Sequence, residues 1–203
     1  SRFEKPTLVL DLDRVETQFL ALKAGLGRAQ IYYAVKANPA PQIISRMVDL
    51  GSRFDAASRA EVALCLAQGA QPSDISFGNT IKRASDIAWA ADQGFSFHVG
   101  SQTRRAEMWI PTLDAMAAIW ADAKTAGHDL SILNIGGGFP AFYGEEIDAP
   151  TAYAAKVIEM VEARFPDVAH IMAEPGRGMV AEAGVIAAEV LLVSHKSDRD
   201  MHR

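Results

Sequence analysis

Short β-rich runs alternate with runs of helical period along most of this 203-residue chain. Strand character is concentrated at 31–35 (IYYAV), 52–55, 74–78 (DISFG), 95–99 (FSFHV), 130–135 (LSILNI) and 170–174 (HIMAE). Between most of them apolar residues recur at helical spacing. Val15, Phe19 and Leu22 make one such stripe, Ile43, Met47 and Leu50 a second, and Leu113, Met116 and Trp120 a third. Ala154, Val157, Ile158, Val161 and Phe165 make a full apolar face. Gly51, Gly69, Gly94 and Gly127 stand where helix C-caps are needed, each a few residues before the next strand. Strand–helix–strand alternation of this kind demands a parallel sheet with crossover helices. An open doubly wound sheet and a closed eight-stranded barrel both satisfy it, and periodicity does not choose between them.

With 49% apolar residues the chain is long enough to bury one sizeable core. A net charge of −5 and a pI near 5.5 give no basic patch for nucleic acid. No apolar run reaches the roughly 18 residues of a membrane span, and no signal peptide is visible. A single cysteine, Cys65, sits in an apolar helical run, where a packing role is expected. One thiol cannot form an internal disulfide, so a soluble, cytoplasmic protein is expected. No metal site is expected.

Two segments fall outside the alternation. Thr7–Leu10 (TLVL) precedes the first helix, and 185–193 (VIAAEVLLV) follows the last unit. They can pair with each other in a second, β-rich domain.

Several residues at strand ends carry chemistry. Lys36 closes YAVKAN and precedes the turn signal Asn38-Pro39. In parallel α/β domains the C-terminal strand ends form the active face. A lysine there, preceded by mostly apolar residues, is expected to be partly desolvated and so nucleophilic toward carbonyls. Gly136-Gly137-Gly138 follows a strand and permits the left-handed backbone of an anion nest. Glu174-Pro175-Gly176-Arg177 supplies a carboxylate that can hold a ring nitrogen protonated and a guanidinium that can fork onto phosphate. His98 can stack on a flat ring, and Ser101 can bind phosphate. Asp55 is either a helix N-cap or a polar partner of the lysine. Read singly, each has an ordinary alternative: a solvent-reaching lysine, a flexible turn, a surface ion pair, a core histidine. Together they make the set that a pyridoxal phosphate (PLP) site requires.

The motifs YAVKAN, FDAAS, FHVGSQ, NIGGGFP and AEPGR occur here in the order found in the fold-type III (group IV) PLP-dependent amino-acid decarboxylases. The chain resembles that family over nearly its whole length. The likeness is closer to the ornithine/lysine decarboxylase branch than to the diaminopimelate branch. The resemblance implies a (β/α)8 TIM-type barrel of the alanine racemase kind, incomplete here, with the start of a C-terminal β-domain. Residues 12–180 would form the PLP-binding barrel, and 1–11 with 181–203 would be strands of a truncated β-domain. Lys36 would hold PLP covalently, His98 would stack on its ring, Glu174 would bind the pyridine nitrogen, and Asp55 would lie near the linkage. Ser101, Gly136, Gly137, Gly138 and Arg177 would bind the phosphate, and Gly176 would also belong to the cofactor site. The implied reaction is decarboxylation of ornithine or lysine to a diamine, in polyamine biosynthesis, by a homodimer. Diaminopimelate or arginine decarboxylation, racemisation, and a non-catalytic homologue that binds a regulatory partner are the alternatives.

The chain departs from the family in two ways. Only six barrel-type strands are legible, and the helix ending at Gly94 runs straight into Phe95, where the family has a further strand, helix and strand. The C-terminal domain stops at its first strand. The chain is therefore expected to be an incomplete record of a longer protein.

Overall fold

A computed structural model describes residues 5–77, 95–96 and 103–189. In chain order the strands are β1 (Thr7–Leu10), β2 (Gln30–Ala34), β3 (Arg53–Ala56), β4 (Ile75–Phe77), β5 (Phe95–Ser96), β6 (Ile132–Asn134), β7 (His170–Ala173) and β8 (Gly184–Ala187). The helices are α1 (Leu12–Leu26), α2 (Pro41–Asp49), α3 (Arg59–Ala67), α4 (Ile110–Thr125), α5 (Pro150–Arg164) and α6 (Arg177–Val180). Among the described residues no helix is long and apolar enough to cross a membrane.

Helix boundaries follow from local chemistry. Asp11 caps α1, its Oδ1 accepting from the backbone N–H of Asp13 and Arg14 at 3.0 and 3.1 Å. The expected stripe Val15, Phe19, Leu22 is buried and extends to Leu26. Ser58 caps α3 by accepting from Glu61 N–H, while Glu61 Oε2 accepts from Ala57 N–H, a reciprocal capping arrangement. Gly51, Gly69 and Gly127 all have positive φ after their helices, as their positions require. Gly94 lies outside the described residues. Cys65 is buried, and burial pushes its thiol up to about 11, in keeping with a packing role.

Strand order separates the two architectures that periodicity leaves open. The six strands of the parallel sheet run β4-β3-β2-β7-β6-β5. Counting only these strands, the order is 3-2-1-6-5-4, whereas a doubly wound dinucleotide fold runs 3-2-1-4-5-6. The first strand lies beside the last, with Gln30 opposite Met172 and Ile31 opposite Ala173. This is the cyclic order of a barrel with one break, and the sheet is a curled half-barrel, an incomplete TIM barrel. Among the described residues its edges are β4 and β5, the two strands that flank 78–94.

The β2–β7 seam is backed by α1 packed on α5. A Cβ at Gly25 would stand 2.3 Å from the Thr151 carbonyl oxygen and 2.8 Å from Ala154 Cβ, so only glycine permits the approach. Thr151 Oγ1 donates to Ala21 O at 3.0 Å, and Arg28 donates to Glu162 at 2.9 Å and to Val168 O at 3.0 Å. Around the seam Phe19, Tyr33, Val35, Phe54, Leu133, Ile171 and Val157 form one continuous core.

β1 and β8 pair antiparallel in a separate two-stranded sheet, with Thr7 opposite Ala187 and Leu10 opposite Gly184. The two segments outside the alternation do therefore find each other. Residues beyond 189 lie outside the described part of the chain.

Candidate active site

Parallel strands bring their C-terminal ends to one edge of the sheet, so the residues after β2, β3, β6 and β7 share one face. Lys36 lies in a 3₁₀ turn, Val35–Ala37, just past the end of β2. Asn38 fixes the turn: its carbonyl accepts from Tyr33 Oη at 3.0 Å, and its Oδ1 accepts from Ala40 N–H at 3.1 Å. Val35 is fully buried, but the turn lifts the next residue off the strand, and the Lys36 side chain is 64% exposed. The remainder of its surface is covered, so the lysine is withdrawn from water only in part.

Lys36 Nζ stands 3.6 Å from Oδ2 of Asp55. Asp55 lies opposite Ala34 in the β2–β3 pair and is only 3% exposed. Ser58 takes the capping role, which leaves Asp55 as the partner of the lysine. Its Oδ1 is buried and has no hydrogen-bond partner among the described residues. Burial first, and then the negative charge of Glu174, push this carboxyl up to about 7, against the opposing pull of Lys36.

Glu174 follows β7 and is half-buried. Its N–H donates to Gly136 O at 2.8 Å, and its Oε1 accepts from Asn134 Nδ2 at 2.5 Å. Asn134 ends β6, is 8% exposed, and accepts the Gly136 N–H on its own Oδ1 at 2.8 Å. Sequence reasoning missed Asn134. Its signal was present: an amide inside the apolar run LSILNI, two residues before the first glycine.

Gly136 and Gly138 have φ of 70° and 96°, the left-handed backbone that side chains disfavour. The Gly136 N–H, however, is turned to Asn134 rather than offered to an anion. What Gly136 brings to the loop here is its left-handed backbone. The carbonyl of Gly138 accepts from Thr103 N–H at 3.0 Å. Thr103 is buried, and its carbonyl accepts from Tyr153 Oη, which in turn accepts from Trp109 Nε1 at 2.9 Å.

Gly176 is held in close packing. A Cβ there would lie 2.7 Å from Ala37 Cβ and 3.1 Å from Ala34 Cβ. With Ala34 N–H donating to Pro175 O at 3.2 Å, the turn after β7 closes directly on the turn that carries Lys36. Arg177 opens α6 with its side chain exposed. His98 and Ser101 lie outside the described residues.

Lysine, carboxylates and glycine loop are thus joined in one line: Lys36 to Asp55, Asp55 to the charge of Glu174, Glu174 to Asn134, and Asn134 to Gly136. An amine beside an orphaned buried carboxylate oxygen, a second carboxylate and a left-handed glycine loop form a donor set that fits an aldehyde-bearing pyridine with a phosphate arm.

The family model "Pyridoxal-dependent decarboxylase, pyridoxal binding domain" matches residues 12–95 and 93–181. A lysine/ornithine decarboxylase of Selenomonas ruminantium is 26% identical over 257 aligned positions, covering 94% of this chain and 65% of the relative. The chain therefore spans slightly less than two thirds of that relative's length. Among solved structures, lysine/ornithine decarboxylase from Vibrio vulnificus complexed with cadaverine superposes with a TM-score of 0.83 at 25% identity, over 96% of this chain and 69% of that one. SrLDC in complex with PLP and cadaverine gives 0.78 at 28% identity, over 90% and 63%. The chain belongs to the family of the pyridoxal-binding domain of pyridoxal-dependent decarboxylases, and PLP is its cofactor.

Proposed function

We propose that this chain is the cofactor-holding barrel of a decarboxylase acting on a basic amino acid, L-ornithine and/or L-lysine, to give putrescine or cadaverine for polyamine synthesis. The observation that carries the reading is the line from Lys36 through Asp55 and Glu174 to the glycine loop, along the ends of four neighbouring strands. The lysine/ornithine decarboxylases among its relatives support the choice of substrate.

Bound PLP supplies an electron sink for the charge left behind when the α-carboxylate departs as CO2. Lys36 would be the amine that holds the cofactor through its aldehyde, with its Nζ 3.6 Å from Asp55 Oδ2. Asp55 stands within reach of that nitrogen and, with its carboxyl raised to about 7, holds or releases a proton there near neutral pH. Glu174 binds the pyridine nitrogen. Gly136, Gly137 and Gly138 would shape the phosphate seat, Gly176 would close it against the lysine turn, and Arg177 and Ser101 would bind the phosphate. By the family resemblance His98 would stack on the ring.

We also assign residues 12–180 to the barrel, lacking two strands between Gly94 and Phe95, and 1–11 with 181–203 to a β-domain. Three observations support this division. Among the described residues the strands on either side of that junction, β4 and β5, are the two edges of the sheet, the family match divides at 93–95, and the alignment to the Selenomonas relative is longer than the chain itself. A cytoplasmic homodimer completes the reading; the lone, buried, unpaired Cys65 is in keeping with a reducing compartment.

The test is the visible absorption spectrum of the purified protein after reconstitution with PLP, followed by CO2 release from ornithine, lysine, arginine and diaminopimelate. The expected result is a cofactor band that disappears in Lys36→Ala, with turnover fastest on ornithine or lysine. Absence of the band sinks the enzyme reading. A band with turnover confined to arginine or diaminopimelate overturns the substrate, and a band with no turnover favours a non-catalytic homologue.

A further inference from the structure

Asn134 touches two parts of the site that the proposed function assigns to opposite ends of the cofactor. Its Oδ1 takes the Gly136 N–H at 2.8 Å, an Asx-type turn over two residues. That contact fixes which amide atom is oxygen, so the nitrogen is the atom facing Glu174 Oε1 at 2.5 Å. A parallel backbone link, Glu174 N–H to Gly136 O at 2.8 Å, ties the same two segments again. All of this happens at a side chain that is 8% exposed, where water offers little substitute for a lost partner.

We propose that Asn134 is a positioning residue that holds the Glu174 carboxylate and the Gly136–Gly138 loop as one unit, so that ring-nitrogen and phosphate recognition stand or fall together. This deepens the proposed function and rests on its assignment of Glu174 to the ring nitrogen. The amide is suited to the task because it accepts on one side and donates on the other. An aspartate of the same size keeps the acceptor for Gly136 but replaces the donor to Glu174 with another acceptor. Two facing carboxylates then part or share a proton. The charge of Glu174 also reaches Asp55, whose buried carboxyl it raises.

A turn-forming residue and a positioning residue respond differently to substitution. Asn134→Asp preserves the turn and breaks the link to Glu174. Asn134→Ala breaks both. The double variant Asn134→Asp/Glu174→Gln restores a donor–acceptor pair with its direction reversed. The measurements are the melting temperature of the PLP-free protein, the PLP dissociation constant by fluorescence or absorbance titration, and the pH dependence of that constant.

The expected result for Asn134→Asp is PLP binding weaker by about tenfold or more at pH 8, recovering as the pH falls toward 5. Its PLP-free melting temperature should drop less than that of Asn134→Ala. The reversed pair should recover melting temperature relative to Asn134→Asp, a coupling that independent sites do not show. Wild-type PLP affinity and pH profile in Asn134→Asp would overturn the proposal, as would strictly additive effects in the double variant. Should even Asn134→Asp fail to fold, the cycle is run from Glu174→Gln and the double variant, and a double variant no more stable than expected from loss of both side chains overturns it. Failure of the unsubstituted protein to bind PLP would remove the functional reading and this inference together. Lys36-dependent PLP binding with an unaffected Asn134→Asp would remove this inference alone.

Discussion

Lys36 Nζ and Asp55 Oδ2 face each other at 3.6 Å across the β2–β3 pair, one side chain 64% exposed and the other 3%. The contact joins a solvated cation to a carboxyl that the fold has taken out of water. The cost of that burial falls on Asp55, which is why its carboxyl is raised to about 7 despite the lysine beside it.

This asymmetry sets the pH dependence of stability. With its ordinary value at 3.8, Asp55 binds more proton in the folded than in the unfolded protein between about pH 4 and 7. Its contribution is therefore favourable below that window and is lost as pH rises through it. Three pH units correspond to an upper limit of about 4 kcal/mol, at about 1.4 kcal/mol per unit. Asp55→Asn should gain melting temperature relative to the parent on going from pH 4.5 to pH 8. A difference that stays flat or reverses would show that the lysine outweighs burial.

Gly25→Ala should destabilise, against the usual order of helix propensity, in which alanine is better by about 1 kcal/mol. The new methyl would meet the Thr151 carbonyl at 2.3 Å and force α1 away from α5. Overpacking of this kind costs about 1–3 kcal/mol. Chemical denaturation with an unchanged m-value and a lower midpoint is the expected record.

Tyr153→Phe should cost about 1–3 kcal/mol, because it leaves the indole N–H of Trp109 and the carbonyl of Thr103 without their partner in the core. Thr103 also holds Gly138 through its N–H, so the loss should reach the glycine loop. Hydrogen exchange at the Thr103 amide is the local readout, and it should quicken in the variant.

Gly176→Ala should weaken PLP binding by roughly tenfold while moving the melting temperature far less than Gly25→Ala. Its methyl would press at 2.7 Å on Ala37 Cβ, next to Lys36, so the displacement falls on the site rather than the core. A tenfold change is about 1.4 kcal/mol. Equal losses of stability in the two variants would contradict this division.

What could be read from the sequence was what depends on neighbours in sequence. The stripes Val15–Phe19–Leu22 and Leu113–Met116–Trp120 face the core, and Gly51, Gly69 and Gly127 turn left-handed, because spacing and backbone freedom are local properties. The order of strands was not legible, since placing β7 beside β2 depends on crossovers rather than on either strand's own residues. The candidate site divides the same way. Strand-end motifs marked Lys36, Asp55, Glu174 and the glycines. The exposure of Lys36 followed from a one-turn departure beyond Ala34 that an apolar run does not reveal. The engagement of Gly136 depended on Asn134, whose partners lie on two different strands' ends.

Because Gln30 pairs with Met172, the earliest strand of the half-barrel to leave a ribosome gains its second neighbour only from the latest. Closing so long a loop is entropically slow, and such topologies fold at the sluggish end of the scale. The lysine turn and the Glu174 turn meet in that same late step. Competence to capture the cofactor is thus a clock on maturation: a nascent chain halted before residue 170 carries Lys36 and the glycine loop but lacks Glu174, Gly176 and Arg177.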